Sequence, residues 1–188
     1  MAAAKKVFAR NGFHATTIGD IAKEAGFAYG SVYNYFDSKE DLFQALMSAE
    51  EYALRTHLAV ALAATGSRPS ESWEPLRATV QATFEFFEAD RATAKLMFRD
   101  AYALGERFEK HLIDIYQRFI DDIEARIVAA QEQGEVILVS PRMAAYSMGA
   151  LIGQLAHRRL ITDDGVTAAQ VADFVVWLVL NGLRPRES

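Results

Sequence analysis

The residues best suited to do chemistry in this chain are concentrated in one run, GFAYGSVYNYF, at positions 26–36. Five of its eleven residues are aromatic (Phe27, Tyr29, Tyr33, Tyr35 and Phe36), and none is charged. Phenol hydroxyls donate and accept hydrogen bonds, ring faces pack on methyl groups, and Ser31 and Asn34 add further polar atoms. Such a set recognises a partner and does not break bonds. The means of catalysis are missing elsewhere in the chain. It has no Cys among 188 residues, which removes thiolate nucleophiles, disulfides and Cys-based zinc sites together. His14, His57, His111 and His157 are scattered, and no phosphate loop, HExxH motif or Glu-x-x-His pair occurs. The sequence predicts no enzyme, no metal site and no cofactor.

Positioning these groups requires a fold, and the composition allows one: 51% of the chain is hydrophobic and 24% charged, enough to bury a sizeable core. Nearly all of it reads as helix. Ala2–Asn11 is closed by Gly12, and Ile18–Ala25 is capped by Thr17 and stopped by Gly26. A third short helix runs from Tyr29 to about Tyr35. A long fourth helix follows a cap at Asp37 or Ser38. TGSRPSES at 65–72 is the clearest loop. Beyond it come a helix carrying Leu76, Val80, Phe84 and Phe87, a short one around 94–103, and a long one stepping through Phe108 to Ile127 and ended by Gly134. Pro141 opens the next, to about Leu160, and Thr167 caps the last, to about Leu183. The expectation is an all-α chain of about nine helices in two domains, 1–47 and 48–188. The richest apolar run, Val175–Leu180, is six residues, far short of the ~18–20 needed to cross a bilayer. No signal-peptide core follows Met1, so a cytoplasmic protein without membrane contact is expected.

In IAKEAGFAYGSVYNYF, Ala22 sits four residues before Gly26, with Ile21, Phe27 and Val32 as apolar partners. A small residue where two helices cross, and a glycine in the turn between them, is helix-turn-helix spacing. The second helix then enters the DNA major groove and reads it through Tyr hydroxyls and ring contacts to thymine methyls. The net charge of −5 does not oppose this, because residues 1–36 carry Lys5, Lys6, Arg10 and Lys23 against Asp20 and Glu24. Only charges within about a Debye length (~8–10 Å) of the phosphates matter much.

Residues 12–46, GFHATTIGDIAKEAGFAYGSVYNYFDSKEDLFQAL, resemble the DNA-binding domain of the TetR family of bacterial transcriptional repressors. The resemblance implies a dimer of all-helical subunits, each with a DNA-reading head followed by a ligand-binding, dimerising domain. By the same resemblance Thr17 meets a phosphate, and Tyr29, Gly30 and Tyr33 face base edges. Ser31, Asn34, Tyr35 and Lys39 hold phosphates, while Ile21, Phe27, Val32 and Phe36 lie inside. Two departures stand out. Ala28 replaces the family's usual capping residue. The family's basic segment before the first helix has no counterpart, since that helix starts almost at Met1; either the chain is truncated there or its affinity rests on fewer cations.

The C-terminal part is dense in rings. Phe84, Phe87, Met97, Phe98, Tyr102, Tyr116 and Phe119 are candidates to line a cavity for a mostly apolar effector, with Arg99 and His111 as anchors for an anionic head. This half is similar to family members that answer to fatty acids or acyl-CoA. In the last two helices, Met148, Leu151, Ile152, Leu155, Phe174, Val175 and Leu178 are expected to bury against a second copy, as the family's dimers do. The reading is a repressor that binds a near-palindromic operator as a homodimer and is released by a small hydrophobic effector. Its rival is a helical protein-interaction module without DNA binding, which would not need Gly30, Tyr33, Tyr35 and Lys39 in their places.

Overall fold

The computed structural model of the chain describes residues 1–66, 73–97, 106–162 and 165–183, and for 106–112, 115, 160, 161, 180 and 183 the backbone alone. Among these residues there are nine helices and no strand: α1 (Ala2–Asn11), α2 (Ile18–Ala25), α3 (Tyr29–Tyr33), α4 (Lys39–Ala64), α5 (Glu74–Ala89), α6 (Arg91–Lys95), α7 (Glu106–Glu132), α8 (Pro141–Ile161) and α9 (Ala168–Leu183). The chain divides into two compact units, one formed by Met1–Arg55 with Phe87–Ile113, the other by Thr56–Phe86 with Asp114–Ser188.

Local chemistry sets the first unit's helices. Thr17 and Asp20 form a capping box at the start of α2: the Asp20 N–H donates to Thr17 Oγ1 at 3.1 Å and the Thr17 N–H to Asp20 Oδ2 at 2.9 Å. Gly26 ends α2 in the left-handed region (φ 71°, ψ 24°), where its N–H reaches Lys23 O and the Phe27 N–H reaches Ala22 O. A Cβ would be strained there, so glycine is required. α4 opens at Ser38, whose Oγ accepts from the Asp41 N–H at 3.0 Å, with Glu40 and Asp41 placed to suit the helix dipole. The core joins Phe8 of α1, Ile21 and Ala22 of α2, Val32 of α3, Phe43 and Met47 of α4, and Leu96 just past α6. The Phe8 and Phe43 rings meet edge-to-face at 4.8 Å, and Phe13 meets Phe43 at 5.2 Å. Burying each such ring contributes roughly 1.5–3 kcal/mol.

Phe27 is a correction. Expected inside, it is 66% exposed. The inward stripe of α3 is filled by Val32 and the partly buried Phe36, one turn apart. Phe27 belongs to the preceding turn and projects from its outer side.

In the second unit, α7 and α8 approach closely at Gly149, where a Cβ would stand 2.5 Å from Ile120 Cδ1 and 3.1 Å from the Tyr116 hydroxyl. Ile120, Ile123 and Ile127 of α7, Ala145, Met148 and Ile152 of α8, and Ala172 and Val175 of α9 are buried. Arg142 joins α8 to α7 through Asp121 and Glu124, both at 2.6 Å. Arg77 of α5 reaches Asp173 of α9 at 2.5 Å.

Candidate nucleic-acid interface

Helix α3 lies on a packed base and leaves its rings outside it. Val32 is its single buried residue, whereas Tyr29, Tyr33 and Tyr35 are exposed, Tyr35 to 81%. Three large rings left in water on one short segment make a candidate contact surface. The Tyr29 and Tyr33 hydroxyls lie 3.2 Å apart, one turn from each other, and their rings sit 5.5 Å apart. That hydrogen bond raises the Tyr33 phenol above its ordinary pKa. Asn34 is exposed and Ser31 half-buried. Ala28, at the N-cap, supplies no side-chain bond.

Among the described residues nothing asks for a glycine at position 30. Its φ lies outside the left-handed region, and an added Cβ would meet nothing within 4 Å. The outer side of α3 is therefore open at Gly30.

The cations around this surface are largely committed. Lys39 Nζ donates to the Phe13 and His14 carbonyls at 2.9 and 3.4 Å and sits 4.4 Å from the Phe13 ring centroid. It thereby fastens the α1–α2 loop to the start of α4. Lys6 and Arg10 pair with Glu24 at 2.5 and 3.4 Å, and these bonds hold the Glu24 carboxyl below its usual range. Lys23 is exposed and pairs with no acid among the described residues. Thr17 is exposed, but its hydroxyl donates to Asp20 at 2.7 Å. Thr17's side-chain and backbone hydrogen bonds depress the Asp20 pKa, leaving a carboxylate beside the expected phosphate contact.

Sequence reading missed a polar cluster behind this head. Lys5 of α1 reaches Glu50 of α4 at 2.8 Å and Asp90, the N-cap of α6, at 2.7 Å. Thr93 of α6 donates to Glu50 at 2.6 Å. Asp90 also accepts from the Ala92 and Thr93 N–H groups. Burial works against the Lys5 charge, but the bonds to Asp90 and Glu50 outweigh it and raise the ammonium pKa. At Asp90 burial again opposes the charge, but the Lys5 bond, the Thr93 bonds and the Lys5 charge together outweigh it, so its pKa falls. The pairing of a lysine with acids 45 and 85 residues away leaves no local pattern; only the N-cap aspartate before α6 was a readable signal.

The expected effector residues fall in both units. Phe87 and Met97 belong to the first unit, where Met97 packs on the core just described; Phe84, Tyr116 and Phe119 belong to the second. Phe84 and Phe87 are buried, Phe119 is half-buried and Tyr116 exposed. Phe98, Arg99, Tyr102 and the His111 side chain lie outside the described residues. Of the expected dimer residues, Met148, Ile152 and Val175 are buried within the chain itself, Leu151 and Leu155 are half-buried, and Phe174 and Leu178 are exposed. Trp177, not singled out from sequence, is 59% exposed and stacks on Phe174 at 6.3 Å. Among the described residues no helix is long and apolar enough to cross a membrane.

Comparison with known proteins agrees with the geometry of the head. Residues 1–46 match the family model of bacterial regulatory proteins, tetR family. The HTH-type transcriptional regulator YdgC of Bacillus subtilis is 30% identical over 98% of this chain and 90% of that protein. The HTH-type transcriptional activator FasR of Mycolicibacterium smegmatis is 33% identical over 53% of this chain, a match spanning 44% of FasR. The solved structure of the transcriptional regulator FadR from Bacillus subtilis in complex with stearoyl-CoA superposes with a TM-score of 0.81 over 96% of both chains, at 20% identity, and thus shares the fold. The chain belongs to the tetR family of bacterial regulatory proteins, and it is a transcriptional regulator, not an enzyme.

Proposed function

We propose that this tetR-family regulator is a cytoplasmic repressor, binding a near-palindromic operator as a homodimer and leaving it when a small, mostly apolar effector binds. The observation that carries the reading is the outward set of α3 and the residues just after it: exposed Tyr29, Tyr33 and Tyr35, and a glycine that neither packing among the described residues nor backbone conformation requires. On a helix without a formal charge, phenol hydroxyls and ring edges supply base readout in the major groove. Residues 1–47 act as the reading domain and 48–188 as the effector and dimer domain. Tyr29, Gly30 and Tyr33 face bases; Thr17, Ser31, Asn34, Tyr35 and Lys39 approach phosphates. Lys39 does so while tied to the 13–14 carbonyls, and this fixes its ammonium near the start of α4.

The outer stripe of α9, with Phe174, Trp177 and Leu178, supports dimerisation: an apolar row exposed in one chain is covered by its two-fold copy. A long-chain acyl compound is the effector class favoured here, because the fold neighbour FadR was solved with stearoyl-CoA. Binding works through linkage: an effector that prefers a conformer with wrongly spaced heads weakens DNA binding, and DNA weakens effector binding by the same factor. α4 suits the role of lever, since one 26-residue helix carries Phe43 and Met47 of the head's core and runs on to Ala64. Selection of duplexes from a random pool by the purified protein should enrich a palindrome with half-sites about one helical turn apart. Palmitoyl-CoA should then release the enriched duplex. Failure of a stable dimer to enrich any sequence would contradict the DNA-binding reading.

A further inference from the structure

Tyr29 and Tyr33 stand one helical turn apart on α3, 59% and 44% exposed, with their hydroxyls 3.2 Å from each other. Two phenols joined in this way do not offer the same groups as two separate ones. Each hydroxyl has one proton and can accept through its oxygen. The bond between them consumes one proton, whichever ring supplies it. What faces outward is a single O–H donor on one oxygen and an acceptor on the other. The spacing is also supported by packing. Tyr29 lies over Gly19 of α2, so near that a Cβ there would stand 3.5 Å from Tyr29 Cδ2, and the Tyr33 ring sits 5.5 Å from it. The pair is therefore in place before any partner arrives.

We infer that the Tyr29–Tyr33 pair reads an adenine in each half-site, acting as one donor–acceptor unit. The inference rests on the DNA-reading role of α3 proposed above and names the base it reads. In the major groove adenine presents the N7 acceptor beside the N6 amino donor, near enough for one Asn or Gln amide to bridge them. Two oxygens 3.2 Å apart make the same bridge: the free O–H donates to N7, and the other hydroxyl oxygen accepts from N6. With the bond between the rings this gives three hydrogen bonds running in one direction, and bonds in such a chain strengthen one another. Guanine presents two acceptors, N7 and O6. The pair has one proton to give, so O6 meets a lone pair unless the bond between the tyrosines breaks. Cytosine offers a donor alone and thymine an acceptor beside its methyl group, so neither fills both positions.

In the duplex selected by the purified protein, each A·T pair of a half-site is replaced in turn by guanine paired with 5-methylcytosine. The exchange keeps N7 and the major-groove methyl group and puts O6 where the N6 donor was. Affinities of the wild type, Tyr29→Phe and Tyr33→Phe are read by fluorescence anisotropy near physiological salt. At one A·T pair per half-site the wild type should lose about ten-fold or more. Both variants keep their rings, and at that same pair each should hold the two duplexes within about three-fold, because a lone hydroxyl donates to O6 as readily as it accepts from N6. Helix content and the dimer should match the wild type. If Tyr29→Phe keeps the full preference for adenine while Tyr33→Phe loses it, the two do not act as a unit and the inference falls. It falls as well if no A·T pair shows the pattern, although the enriched duplex then leaves DNA reading by the chain intact. If no duplex is enriched at all, both fail.

Discussion

The reading head and the α8–α9 pair use apolar surface in opposite ways. In the head, large rings fill the inside (Phe8, Phe13, Phe43) and tyrosines stand outside on a helix of five residues. In α8 and α9 the large apolar side chains Met148, Ile152 and Val175 turn into the chain's own core. In α8 the small and polar residues Ser147, Ala150 and Gln154 are left outward, whereas α9 keeps an outer apolar row of Phe174, Trp177 and Leu178. A surface meant for nucleic acid needs hydroxyls and ring edges on a rigid base. A surface meant for a second copy of the same chain needs a smooth apolar row, and close approach is eased by small neighbours. Exposed aromatic area is common to both; the polar atoms attached to it separate the two proposed uses.

That contrast can be broken at several points. The largest effect should come from the base of the head. Phe43→Ala removes a fully buried ring that touches Phe8 and Phe13 and should cost about 3–5 kcal/mol, read as a lower denaturant midpoint with DNA binding lost alongside. Lys5→Met comes next. It strands Glu50 and Asp90 without their cation and should cost about 2–3 kcal/mol, below the figure for a fully buried pair because these groups keep some solvent.

The pH dependence of that cluster has a definite sign. Asp90's folded pKa is depressed, so its contribution is present above the ordinary carboxylate value of about 4 and is lost as pH falls through the lower folded value. Lys5's folded pKa is raised, so its contribution is complete below about 10.4 and is lost only as pH climbs through the higher folded value. Between those limits the cluster should contribute a constant amount. Denaturation of wild type and Lys5→Met should converge as pH falls below about 4.

Phe174→Asp sharpens the other side of the comparison. The residue is exposed in the single chain, so the mutant should keep the wild-type helix content while sedimenting as a monomer; a dimer that persists would move the interface elsewhere. The smallest effect belongs to Gly30→Ala. In an open helical position alanine is favoured over glycine by up to about 1 kcal/mol, so α3 should gain slightly in stability while DNA affinity drops.

Much of the head was legible because its signals are local. Thr17 as the cap of α2, Gly26 at its end, Ser38 as one of the two residues offered for the cap of α4, and the small Ala22 each act within a few residues, and each is found in such a place; the answering Asp20 of the capping box was not foreseen. Phe27 was misplaced because an apolar residue after a helix-ending glycine usually folds back on that helix, whereas here Val32 and Phe36 already fill the inward stripe. The Lys5 cluster was invisible, since it joins residues 45 and 85 positions apart. In α8 the two faces differ in residue size more than in polarity, so sequence could not say which stripe turns inward.

The most direct test measures the affinity of a selected duplex for the wild type, Tyr33→Ala and Phe27→Ala by fluorescence anisotropy near physiological salt, with the dimer followed by sedimentation. Tyr33→Ala should lose at least about ten-fold in affinity, one base contact's worth, with the dimer intact, and Phe27→Ala should lose less. Unchanged affinity for Tyr33→Ala would mean that the outward rings of α3 do not read DNA.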